Sequence, residues 1–212
     1  MKNPLRQTII ALALACLPFA AMAANGQAQE LHQGGRQARD SSHQAGHDHG
    51  QSGVSAGVTT ASSAMAELKP TQGNVTAGSI KFENEGDKVR ISGEVSGLKA
   101  ESSHGFHVHE KGDCSAPDGS SAGGHFGLVG QEHGSPNEAG SHVGDLGNIR
   151  TDEDGVARVD IVVPRSKLTL GEGEKDVIGR GLIVHAKADD LVSQPTGNAG
   201  DRLACGVIRA DR

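Results

Sequence analysis

The clearest pattern along the chain is alternation. In "VRISGEV" the apolar residues Val89, Ile91 and Val95 fall on every second position, with charged or small residues between them. A period of two sends alternate side chains to opposite faces and predicts a half-buried strand. "GSIKFE" and "VARVDIVV" repeat the pattern, and "TDEDG" ahead of the latter is a tight turn. "LIVHAK" and "LACGVI" add two short β-branched runs near the end of the chain. No segment carries a 3.6-residue apolar stripe of helix length. Between the strands run two long connections, roughly 111–144 and 186–201, and loops of that length in a folded domain carry function when they hold reactive side chains. Several short strands separated by turns predict an all-β sandwich or barrel beginning near Ser63.

The same reading gives a direct meaning to "GFHVHE" at 105–110. On a strand, His107 and His109 share one face and Phe106 and Val108 the other, so one face suits a core and the other a metal. His104 falls on the opposite face from His107 and reads as a buried, hydrogen-bonded structural histidine.

Composition removes several alternatives. With no Trp, no Tyr, four Phe and 31 Gly among 212 residues, packing of helices on aromatic side chains is not expected. A formal charge of −6 without any basic cluster excludes a phosphate-binding surface, hence nucleic acid. Residues 1–23 read as a secretory signal: Lys2 and Arg6, the apolar "TIIALALACLPFA", then Ala21-Met22-Ala23 as a small-x-small cleavage site. The apolar run is shorter than a spanning helix needs, so no membrane span is expected. A lipoprotein acylated at Cys16 is the weaker reading, because "LPFAAMA" after it stays apolar. Export follows. Residues 24–62 are rich in Gln, Gly, Ser and His and cannot bury enough apolar surface to order themselves, which predicts a disordered tail. Its histidines, densest at His43, His47 and His49, form a weak auxiliary metal tract or an ordinary solvated linker. Once the signal is removed, Cys114 and Cys205 are the two cysteines left, and in an oxidising compartment they read as one disulfide.

After residue 100 come His104, His107, His109, His125, His133, His142 and His185, too many in too short a span for structural histidines. His125, His133 and His142 recur at intervals of eight and nine, and Asp145 follows three residues on. Three imidazoles and a carboxylate complete a tetrahedral zinc with no open position. His107, His109 and His185 remain as an imidazole-only group suited to copper, which cycles between two oxidation states where zinc cannot.

"GFHVHEKGDC", "GGHFGLVGQEHG", "SHVGDLGNI", "GLIVHAKADD" and "GNAGDRLACGVI" together resemble the copper/zinc superoxide dismutases, over about residues 63–212. The resemblance implies a Greek-key β-barrel with two functional loops, copper and zinc as cofactors, and superoxide as substrate. It implies an enzyme that converts superoxide to oxygen and hydrogen peroxide while copper alternates between Cu(II) and Cu(I). On the matching positions, His107, His109, His125 and His185 would hold copper. His125, His133, His142 and Asp145 would hold zinc, with the His125 imidazolate shared between the metals. Asp189 would link a copper histidine to a zinc histidine, Arg202 would attract and orient the anion, and Cys114–Cys205 would pin the zinc loop to the last strand. The longer "SAPDGSSAGG" and the shorter "DLVSQPTGNAGD" depart from the eukaryotic pattern and resemble exported bacterial members, hence a periplasmic location. The shorter loop lacks the usual steering charges, and monomer and homodimer both stay open. The alternative is a periplasmic copper or zinc carrier that binds metal without turnover; the joint presence of His125, Asp145 and Arg202 argues for the enzyme.

Overall fold

The computed structural model describes residues 61–211. Nine strands follow one another: β1 (Ser63–Pro70), β2 (Ala77–Glu85), β3 (Lys88–Ser96), β4 (Ser103–His109), β5 (Asp145–Arg150), β6 (Ala157–Pro164), β7 (Gly181–His185), β8 (Arg202–Val207) and β9 (Arg209–Ala210). Hydrogen bonds connect them in the order β5-β4-β7-β8-β1-β2-β3-β6, with β9 beside β1. The two ends of that order, β5 and β6, are consecutive in the chain. The Asp152–Gly155 turn joins them, and the Thr151–Ala157 bridge starts their pairing, so the sheet curls into a nearly closed antiparallel barrel. The β3→β4 and β6→β7 connections cross between non-neighbouring strands, which makes the order a Greek key. Among the described residues there is no α-helix, only a single 3₁₀ turn at Ser120–Ala122. No helix there is long and apolar enough to cross a membrane.

Alternation fills the barrel as expected. Val89, Ile91 and Val95 of β3, Ile80 and Phe82 of β2, and Val159 and Val163 of β6 are buried in one cluster, while Arg158, Asp160 and Val162 are exposed. Burying a side chain the size of Phe82 or Phe106 contributes about 2–3 kcal/mol each.

β4 and β7 break the alternation, and the break positions the site. Every residue of β7 is buried, and so is every residue of β4 after Ser103. Phe106, Val108, Leu182 and Val184 face the barrel core. The opposite faces are covered by the 110–144 and 186–201 loops. Ile183 packs there with Ala122 and Cys205, with Cys114 against them. Cys114 and Cys205 form the disulfide, Cα–Cα 5.8 Å, closing 91 residues of chain and fastening the first loop to β8.

β1, β5 and β9 are strands that the alternation did not single out. The leader 1–23, Cys16 and the tail histidines His43, His47 and His49 lie outside the described residues.

Candidate metal centre

β4 and β7 pair directly, His107 opposite Ile183 and His109 opposite Gly181. His185 ends β7 and pairs with Arg202, the first residue of β8. The 110–144 loop folds back so that His125 bridges to His109, then carries His133 and His142 before Asp145 opens β5. The result is two sets of donor atoms, His107/His109/His125/His185 and His125/His133/His142/Asp145. Within each set the atoms lie within 4.8 Å of one another, and His125 belongs to both.

Hydrogen bonds to fixed acceptors assign the proton on the rings of His107, His109 and His185. A neutral imidazole has one donor and one lone pair, and a carbonyl or carboxylate oxygen takes the donor. His109 Nδ1–H donates to the Gly123 carbonyl (2.9 Å) and His185 Nδ1–H to the Gly200 carbonyl (3.1 Å). Their Nε2 lone pairs therefore face each other at 3.4 Å with no proton between them. His107 Nε2–H donates to Asp189 Oδ2 (2.8 Å), and His133 Nε2–H donates to the other oxygen, Oδ1 (2.9 Å). Asp189 thus ties one ring of each set. Asp145 Oδ1 faces the Nδ1 atoms of His125, His133 and His142 at 2.8, 3.1 and 3.4 Å. Its Oδ2 accepts the backbone N–H of Gly134 and His142, 3.0 Å each.

Three buried nitrogens make no hydrogen bond: His107 Nδ1, His125 Nε2 and His142 Nδ1, the last only facing Asp145 Oδ1 at 3.4 Å. Orphaned buried acceptors are costly, and here they converge with other lone pairs on two common points. A cation in each set would satisfy them together. The donor sets fit the metals: four imidazoles in one, three imidazoles and a carboxylate in the other.

Electrostatics keep these lone pairs available. Burial, followed by the charge of neighbouring imidazoles, holds His107 and His109 well below the ordinary 6.5. Burial lowers His125 against the pull of Asp145, and lowers His185 to about 4. Burial alone would raise the Asp145 carboxyl, but the His125 hydrogen bond and the nearby imidazoles outweigh it and leave it below its ordinary value.

Arg202 stands beside the all-histidine set. Its Nη1–H donates to the Gly119 carbonyl (2.7 Å) and its Nη2–H to the Gly123 carbonyl (2.6 Å), the same oxygen that orients His109. Its charge also helps to keep protons off His109 and His185. Gly123 has φ +76, and a Cβ there would lie 2.7 Å from Glu110 Oε2, so the shared carbonyl depends on glycine.

The structure brings His107, His109, His125, His133, His142, His185, Asp145 and Asp189 into one buried cluster, with Arg202 at its edge. His104 is buried outside it and held between the His185 carbonyl (2.8 Å) and the Ser102 hydroxyl (2.8 Å). Glu132 and Glu138 are exposed, as is Asp190, which caps its own loop through Val192, Ser193 and Asn198. Several supports were not foreseen. Asn148 grips the Asp189 backbone, its Oδ1 accepting the N–H (2.8 Å) and its Nδ2 donating to the carbonyl (2.9 Å). Lys167 Nζ donates to the His142 carbonyl (2.5 Å) and the Ser141 hydroxyl (2.6 Å).

Residues 76–208 match the family model of copper/zinc superoxide dismutase. The chain belongs to the copper/zinc superoxide dismutase family. It is similar to superoxide dismutase [Cu-Zn] 2 of Aquifex aeolicus, 40% identical over 161 residues, 74% of this chain and 92% of that protein. It is 45% identical to superoxide dismutase [Cu-Zn] of Paramecium bursaria Chlorella virus 1 over 158 residues, 71% of this chain and 80% of the relative. Superoxide dismutase [Cu-Zn] 5 of Dictyostelium discoideum is 45% identical over 153 residues, 68% and 97% of the two chains. Among solved structures, the clock protein EA4 superposes with a TM-score of 0.64 at 40% identity, covering 72% of this chain and 97% of that one. The chain is thus an enzyme that dismutates superoxide with copper and zinc as cofactors.

Proposed function

We propose that the two donor sets divide the metals: His107, His109, His125 and His185 hold copper, and His125, His133, His142 and Asp145 hold zinc. The observation that carries this is the orphaned trio His107 Nδ1, His125 Nε2 and His142 Nδ1. Each set contains at least one nitrogen without a hydrogen bond that a cation would satisfy, and His125 belongs to both sets. When bound, copper supplies one-electron cycling between Cu(II) and Cu(I), and zinc supplies fixed charge that lowers the basicity of the shared ring.

The chain's own residues do the rest. Arg202 draws the anion in and orients it with the N–H groups left free by its two carbonyl bonds. Because those bonds fix the guanidinium, little reorganisation is needed when superoxide arrives. His125 Nε2 is the atom at which a proton is held and then handed to the reduced product; water supplies the second proton of hydrogen peroxide. Asp189 keeps the His107 and His133 rings in register, so that neither lone pair turns away. The disulfide fastens the loop that supplies Gly119 and Gly123, and so holds Arg202 indirectly.

The domain organisation follows the same reading. Residues 1–23 are a signal removed on export to the periplasm, 24–62 a histidine-bearing tail, and 63–212 the enzyme. The disulfide supports an oxidising compartment.

The division of metals is tested by counting them in two variants. His142→Ala is expected to keep copper and lose zinc, and His107→Ala to do the reverse. Either variant losing both metals contradicts two separable sites. Export is tested by the mass of the periplasmic protein: a start after Ala23 is expected, and an acylated Cys16 contradicts it.

A further inference from the structure

Gln194 belongs to none of the donor sets, yet its side chain makes a paired contact with a zinc-set residue 61 positions away in the chain. Its Oε1 accepts the backbone N–H of His133 at 2.9 Å, and its Nε2 donates to the backbone carbonyl of the same residue at 2.8 Å. Only a carboxamide supplies a donor and an acceptor side by side in this way. The contact repeats the grip of Asn148 on the backbone of Asp189. His133 is therefore fixed at both ends, its ring by Asp189 and its backbone by Gln194. The neighbouring Glu132 and Gly134 are held by the Gly140 carbonyl and by Asp145 Oδ2, but the N–H and C=O of His133 itself are held by Gln194.

We propose that Gln194 is a positioning residue for the zinc half of the centre: it locks the backbone of His133 and thereby sets how slowly zinc leaves. The proposal rests on the zinc reading of His125, His133, His142 and Asp145. Partners outside the ligand set that orient a ligand are worth about tenfold or more in metal retention, and this one acts from the loop that runs on to Arg202. Gln194 is itself exposed, so shortening it opens no cavity in the core. The loop has an independent internal support in Asp190, which accepts the N–H groups of Val192 and Ser193 and bonds Ser193 and Asn198. That separates the clamp from general ordering of the loop.

The test uses the copper- and zinc-loaded protein and its Gln194→Ala and Asp190→Asn variants. Zinc release to a chromogenic chelator is followed in time, and the visible bands of cobalt(II) placed in the zinc set report its four-coordinate geometry. The expected result is release about tenfold faster from Gln194→Ala, with shifted cobalt bands, and near wild-type behaviour from Asp190→Asn. Unchanged release or unchanged bands in Gln194→Ala overturn the clamp, as does Asp190→Asn losing zinc equally fast. A wild-type protein that takes up neither zinc nor cobalt beside copper overturns the zinc reading, and the clamp with it.

Discussion

His107 and His109 are carried by the last three residues of β4, whereas His125, His133 and His142 hang from a loop of more than thirty residues between β4 and β5. The two halves of the centre are held by different forces. On the strand side, Phe106 and Val108 alternate with the histidines and anchor them in the core, and the β4–β7 ladder fixes their spacing. On the loop side Phe126 and Val143, next to His125 and His142, enter the same core, but His133 has no such neighbour. More of the work there passes to individual polar contacts: Lys167 on the His142 carbonyl, Asn148 behind Asp189, and the Gly134 and His142 amides on Asp145. Packing is cooperative with the whole barrel; side-chain clamps are local. Removing the packing behind the strand histidines should therefore cost stability of the whole fold, whereas removing a loop clamp should act mainly on the metal it supports.

The largest effect is expected from Phe106→Ala. It removes a fully buried ring behind His107 and His109 and should cost about 3–5 kcal/mol of global stability. Denaturant unfolding of the metal-free and metal-loaded protein should show a similar loss. A variant that unfolds normally but binds copper poorly would instead place strand anchoring outside the core.

Acid is the next test, and it strikes both halves. Burial holds His107, His109, His125 and His185 neutral, with folded-state values below the ordinary 6.5 and, for His185, about 4. As the pH falls through that window, the unfolded chain binds protons that the folded one does not. Stability must then fall with pH, by about 3 kcal/mol for His185 alone. Thermal unfolding of the metal-free protein should shift down between about pH 6.5 and 4, and a midpoint that does not move contradicts the neutral cluster.

Gly197→Ala should disturb the polar contacts around His133 without removing any core side chain. Gly197 has φ +64, and a Cβ there would collide with Asp189 Oδ1 and approach His133 Nε2 to 2.6 Å. Asp189 must shift, and zinc affinity should drop about 10–100-fold while the metal-free protein keeps most of its stability. Zinc competition against a chelator, run beside metal-free unfolding, measures both. Equal losses in the two would show that the loop half is not independent.

What could be read from the sequence follows the same division. Val89, Ile91 and Val95 declare β3 by alternation, and the spacing of His107 and His109 declares both a strand and a shared face. Parity alone separated His104 from the ligands. β1 was silent because its buried positions are Ala64, Ala66 and Leu68, two of them too small to mark an apolar face. β5 is short and contains Gly147 at φ +81. The ligands were legible because few residue types bind metals and their intervals are short or match the family. Asn148 and Lys167 were not, because an amide or an ammonium looks alike at any surface position. Their partners lie 41 and 25 residues away, brought close only by the folded loops.

The most direct test of the whole account is superoxide dismutation by the processed protein loaded with copper and zinc, beside His107→Ala, with bound metals counted in both. Rapid dismutation with a single copper and a single zinc per chain, lost in the variant together with copper while zinc remains, is the predicted result. Full occupancy of both metals without dismutation would contradict it and make the protein a metal carrier instead.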